Sequence, residues 1–224
     1  MSLLVSIDIE TGPRPTASIV VLHGLGADGN DFVPLAQALQ LAPVGPVRLV
    51  FPHAPVIPVT INNGYRMRAW YDILGTDLQR REDEAGLRRS MAAVDALLVR
   101  EQERGVAASR TVIAGFSQGC AMALLTGLRH ARRLAGIAGL SGYLPLAAHT
   151  AAERSAANAQ VPVFLGHGQH DDIVDISRGR ASRDALVALG HAVQWHEYPI
   201  AHTVSMDEVA DLQAWLLQVL APAS

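Results

Sequence analysis

The sequence has a single cysteine, Cys120, among its 224 residues. An intramolecular disulfide is therefore excluded, and a reducing compartment is the default. No stretch approaches the ~18 consecutive apolar residues that a membrane span needs, and the N-terminus lacks a basic stretch followed by a long apolar core. The expected location is cytoplasmic, with no integral membrane association. Runs of basic residues are missing too, and the net charge is −3. That speaks against a nucleic-acid or anionic-membrane surface. With 50% hydrophobic and 17% charged residues the chain reads as globular rather than disordered. Its length suits one domain over residues 1–224, without internal repeats or low-complexity linkers.

What the chain does have is alternation. Short apolar runs at 18–22, 47–51, 111–114, 134–140, 161–165 and 192–197 are separated by longer amphipathic segments. Four of these runs carry β-branched residues in close succession, as buried strands do. The pattern is that of a parallel sheet with crossover helices. One helix is expected over 83–104, with apolar Leu87, Met91, Val94, Leu97 and Leu98 and a stop at Gly105. A second over 177–189 stops at Gly190, and a third runs from Ser117 to about His130 with almost no loop before it. Ser205 and Glu208 have capping-box spacing, followed by Val209, Leu212, Leu216 and Leu217. The densest charged stretch, 79–89, mixes signs and reads as the solvated start of a helix. Prolines at 52, 55 and 58 mark 52–60 as an extended or turning loop.

Gly115-Phe116-Ser117-Gln118-Gly119 fits G-x-S-x-G, with a β-branched strand running straight in and a small-residue helix running straight out. A tight strand-to-helix turn lifts a serine Oγ clear of the backbone, and glycines on either side keep neighbouring chain from colliding with it. The helix start behind Ser117 also offers backbone N–H groups where an oxyanion would form. Here the partners of such a serine follow in the order acid, then histidine, each on a loop after a strand. After 161–165 stand Asp171 and Asp172, and either suits the acid by position alone. His202 lies after the last strand and before the capped helix; His191 follows a helix stop and His196 falls inside a strand pattern. His167, His170, Asp171 and Asp172 also imitate a metal-ligand cluster. They fall on a glycine-containing loop with no second cluster to complete a site, so no metal is expected. The loop His23-Gly24-Leu25-Gly26 follows the strand at 18–22 and can present a backbone N–H toward the serine, with the N–H of Gln118 as the other donor.

Five segments together resemble the phospholipase/carboxylesterase family, which includes bacterial carboxylesterases and acyl-protein thioesterases. They are the stretch from His23 to Phe32, the Pro52–Asn62 region, Met67-Arg68-Ala69-Trp70-Tyr71-Asp72-Ile73, Gly115 to Gly119, and His167-Gly168 with Asp171. The likeness runs from about Ile19 to the C-terminal helix. It implies a three-layer α/β-hydrolase fold: a mostly parallel central sheet, helices on both faces, and no large lid domain. It also implies Ser117, Asp171 and His202 as the catalytic triad, and the amides of Leu25 and Gln118 as the oxyanion hole. Because those are backbone groups, loop geometry should matter more than the Leu25 or Gln118 side chain. The implied reaction is hydrolysis of short- to medium-chain carboxylic esters through an acyl-enzyme, with no cofactor. Acyl-protein thioesterase or lysophospholipase activity is the nearest alternative. A catalytically idle ligand-binding protein on the same fold is the alternative of a different class. The expected partner is a small-molecule ester or thioester, and a homodimer is left open. By the same likeness 55–59 and 73–74 face the site, either as acyl wall or as plain packing. Trp70 and Tyr71 read as core.

Overall fold

The apolar runs become strands because Val, Ile and Leu follow one another on both faces of the chain. A computed structural model describes residues 3–75 and 82–221. Strands β1 (Ser6–Glu10) and β2 (Ala17–Leu22) come first, then a short helix α1 (Val33–Ala38) and β3 (Val47–Pro52). The hairpin β4 (Val56–Val59) and β5 (Tyr65–Arg68) stands apart as a two-stranded antiparallel pair. Then follow α2 (Glu84–Glu103), β6 (Thr111–Phe116), α3 (Gln118–Arg129), β7 (Gly136–Leu140) and α4 (Ala147–Glu153). The chain closes with β8 (Val163–Gly168), α5 (Ile176–Ala188), β9 (Val193–Tyr198) and α6 (Met206–Val219).

Seven strands form one sheet in the order β1-β3-β2-β6-β7-β8-β9, with only the β1–β3 pair antiparallel. Alternate residues of each strand feed two cores. Val20, Leu22, Ile113, Ile137 and Leu165 pack with α2 and α3, whereas Ile19, Val21, Val112, Ala138 and Phe164 pack with α6. Helices therefore cover both faces, and the central strands are buried except for Phe116 at the end of β6. With β2 through β9 parallel in this sheet, the loops leaving β2, β6, β8 and β9 meet along one edge. Among the described residues no helix is long and apolar enough to cross a membrane, and no large inserted domain covers that edge.

Helix punctuation follows the sequence closely. Gly105 and Gly190 take φ of +90° and +86° at the ends of α2 and α5, where a side chain would be strained. Ser205 accepts the N–H of Glu208 at 3.1 Å, but the reciprocal half of the box is missing: the Glu208 carboxyl turns inward and is fully buried. The proline-rich loop departs from expectation. Part of it is β4, and Pro58 fits because a strand of a two-stranded pair has a free side where no N–H is required. β1 escapes the apolar-run pattern because Ser6-Ile7-Asp8-Ile9-Glu10 alternates, as a half-buried edge strand does. Of the charged stretch, 84–89 lies in α2, and 79–81 lie outside the described residues.

Candidate active site

Ser117 joins β6 to α3 with no intervening loop, at φ 57° and ψ −117°. This is a costly conformation for a residue with a Cβ, worth roughly 1–3 kcal/mol. The surroundings enforce it. Ser117 N–H donates to the Leu140 carbonyl at 2.9 Å, and both flanking glycines are jammed against backbone. A Cβ on Gly115 would strike the Gly119 carbonyl; one on Gly119 would strike that of Leu22. The G-x-S-x-G pattern is thus a packing requirement of the turn that presents Ser117.

Three of the residues singled out by sequence lie in one hydrogen-bonded line. Ser117 Oγ is 2.9 Å from His202 Nε2, and His202 Nδ1 is 2.7 Å from Asp171 Oδ2. The other Asp171 oxygen accepts from the amides of Ile173 and Val174 at 3.0 and 2.8 Å, so the carboxylate is fixed in its turn after β8. Asp171 is buried, whereas Asp172 is exposed and takes no part in the line. The Phe116 ring leans on the His202 ring at 4.7 Å between centroids and limits its swing. Such a line can take the proton from a serine hydroxyl and hold the resulting imidazolium against a carboxylate.

His167 and His170 do not converge. His167 is buried, with Nε2 donating to the Val174 carbonyl at 2.7 Å, and burial holds its pKa below the ordinary value. It buttresses the turn that carries Asp171. His170 is exposed, and among the described residues no cluster of three or more His, Cys, Asp or Glu is arranged to hold a metal ion. His191 and His196 lie elsewhere, the first buried against the Val161 carbonyl and the second on β9.

Gly24 backs directly onto Ser117: a Cβ there would lie 3.3 Å from Ser117 Cβ. The N–H of Gln118 heads α3, where helix amides have no partner within the helix. Ser117 and His202 open into a cleft of about 460 Å³ whose apolar wall is Leu25, Phe32, Phe116, Ile173 and Val204, with Asp31 at its margin. Segments 55–59 and 73–74 are not part of that wall. The family likeness puts them at the site, either as acyl wall or as packing, and their absence from the lining favours packing. The Gln118 side chain is a second departure. It is buried and makes two hydrogen bonds to the backbone of 70–71, a structural role that the sequence reading does not give it. No periodicity exposes such a role, since a single polar residue after a serine has no pattern to betray its partner.

Comparison with known proteins identifies the family and the fold. The model of the family described as Phospholipase/Carboxylesterase matches residues 7–220. Acyl-protein thioesterase 1 of Yarrowia lipolytica is 37% identical over 206 residues, covering 90% of this chain and 91% of that protein. Among solved structures, Zea mays acyl-protein thioesterase 2 superposes with a TM-score of 0.86 at 29% identity, covering 97% of this chain and 99% of that one. Esterase PE8 does so with a TM-score of 0.82 at 28% identity, over 97% of this chain and all of its own (100%). With the family model spanning nearly its whole length, the chain belongs to the phospholipase/carboxylesterase family and is a serine hydrolase of the α/β-hydrolase fold.

Proposed function

We propose that this protein hydrolyses short- to medium-chain carboxylic esters through an acyl-enzyme on Ser117. The observation that carries the reading is the Ser117–His202–Asp171 line opening into a small apolar cleft. His202 Nε2 takes the Ser117 proton as Oγ attacks the carbonyl carbon. Asp171 holds the Nδ1–H tautomer and balances the imidazolium. The amides of Leu25 and Gln118 receive the oxyanion, each worth about 3–4 kcal/mol of transition-state stabilisation. The imidazolium then gives its proton to the leaving alkoxide or thiolate. A water, deprotonated by the same nitrogen, releases the acid and restores Ser117.

The similarity to acyl-protein thioesterases favours a second reading, a thioesterase acting on acylated protein. A matched series of p-nitrophenyl esters and alkyl thioesters from two to sixteen carbons, below the micelle concentration, separates the two. Each methylene buried contributes ~0.8 kcal/mol, about fourfold in kcat/KM, until the cleft is full. The ester reading expects a plateau or fall between about four and ten carbons. A steady rise through sixteen carbons, with palmitoyl-thioester peptide the best substrate, would transfer the assignment to the thioesterase.

A further inference from the structure

The two amides assigned above to the oxyanion lie far apart in sequence, that of Leu25 in the loop after β2 and that of Gln118 at the head of α3. Residues 68–71 touch both segments. Gly26 N–H donates to the Arg68 carbonyl at 2.8 Å, and Trp70 Nε1–H donates to the His23 carbonyl at 2.8 Å. On the other side Trp70 N–H donates to Gln118 Oε1 at 3.0 Å, and Gln118 Nε2–H donates to the Tyr71 carbonyl at 2.9 Å. The segment is itself anchored from behind. Ser90 Oγ of α2 donates to the Trp70 carbonyl, Asp72 N–H donates to Asp83 Oδ2 at 3.0 Å, and Ala69 N–H donates to the Pro55 carbonyl at 3.0 Å. Trp70 and Tyr71 are buried and contribute nothing to the cleft wall.

His23 completes the linkage. Its Nε2 accepts from Ala54 N–H at 3.0 Å, which puts the ring proton on Nδ1, and Nδ1–H donates to the Gly24 carbonyl at 2.7 Å. Burial holds the His23 pKa below its ordinary value, so the ring stays neutral and keeps that tautomer. The Gly24 carbonyl and the Leu25 N–H belong to one trans peptide unit and point opposite ways. Holding the carbonyl on the buried ring therefore turns the Leu25 N–H away from that ring. A hydrogen bond at the carbonyl also polarises the same amide and strengthens its N–H as a donor.

We infer that residues 68–71, clasped by the Gln118 side chain on one side and the His23 carbonyl on the other, form a strap that sets the spacing and direction of the two oxyanion amides. Trp70, His23 and the Gln118 side chain are thus positioning residues that never touch substrate. This inference rests on the triad and oxyanion-hole reading of the site. Misplacing a preorganised group by about 1 Å costs on the order of 10²-fold, and losing one oxyanion donor outright costs roughly 10²–10³-fold.

Trp70→Phe tests it, because it keeps most of the ring and deletes the indole donor to the His23 carbonyl. We expect kcat on p-nitrophenyl butyrate to fall about 10- to 100-fold with KM nearly unchanged. A trifluoromethyl ketone, bound as an anionic tetrahedral adduct, should lose affinity by the same factor. Inhibition by neutral butanol should not change. If Trp70→Phe fails to fold, Gln118→Met removes the other clasp and carries the same expectation. A loss that only follows the folded fraction, or a fall in kcat without weaker ketone binding, overturns the strap. Ser117→Ala run alongside distinguishes the deeper failure: if it retains turnover, the reading of the site falls with the strap.

Discussion

Glu101 and Glu208 are both fully buried carboxyls, placed at opposite edges of the same sheet. At the amino edge, Glu101 accepts from Ser18 Oγ at 3.0 Å, Arg48 at 2.8 Å, Arg104 at 3.0 Å and Arg100 at 3.2 Å. At the carboxyl edge, Glu208 fills the space left by the missing side chain of Gly166, and neither of its oxygens has a partner among the described residues. Burial pushes its pKa up to about 8. Ser141 Oγ is likewise buried and unpartnered, and Ser117 and Ser141 both take positive φ there. The amino edge uses its polar groups for cohesion. All 18 cationic residues of the chain are arginine, whose forked donors suit such shared pairing. At the carboxyl edge, where the cleft lies, Ser117 carries backbone strain and Glu208 unmet hydrogen-bonding capacity, features that functional sites tend to concentrate.

The sharpest way to break this division is at the carboxyl edge. Ser117→Ala and His202→Ala should each lower kcat by about 10⁶, and the double variant should be barely worse, because the residues act as a unit. Asp171→Asn should cost about 10⁴ and Asp172→Asn very little. Thermal midpoints should stay near that of the parent protein. Losses that multiply in the double variant would mean that a residue has been misassigned.

Glu101→Ala probes the amino edge and should do the reverse. Removing one member of a buried charge network costs about 3–5 kcal/mol, here by taking away the buried carboxylate partner of Arg48 and leaving it the partly exposed Glu10. Denaturant titration should show that loss, with kcat per folded molecule retained. A large fall in kcat would dissolve the contrast between the edges.

The most gradual effect appears as a pH slope. Glu208 keeps its proton in the folded state up to about pH 8 but releases it near 4.5 when unfolded. The folded state therefore binds the extra proton between those values, and stability falls as pH rises through them, by at most about 1.4 kcal/mol per unit. Glu208→Gln should flatten that slope between about pH 5 and 8, with little change at pH 4. Parallel stability curves for the two proteins would show that Glu208 has a partner.

Why some of this was readable from sequence and some was not is a matter of range. The strands of the central sheet show through because Val, Ile and Leu must fill two faces at once, and the helix stops show because Gly105 and Gly190 need positive φ. Ser117, His202 and Asp171 show because each lies at a fixed place relative to a strand, although choosing between Asp171 and Asp172 needed the family likeness. Helices α1 and α4, at 6 and 7 residues, are too short for periodicity to register. Gln118 and Glu208 stayed hidden for a different reason. Both are polar residues whose local context suggests solvent or a cap, and only long-range packing turns them inward.

The backbone angle at Ser117 also has an evolutionary consequence. Glycine is the residue that accepts φ 57° and ψ −117° without strain, so replacing Ser117 by glycine would relax the turn. Selection for stability alone would favour erasing the hydroxyl. A lineage released from the need to turn over substrate should therefore drift toward glycine at this position ahead of most others. The serine persists only while something in the cell continues to require its chemistry.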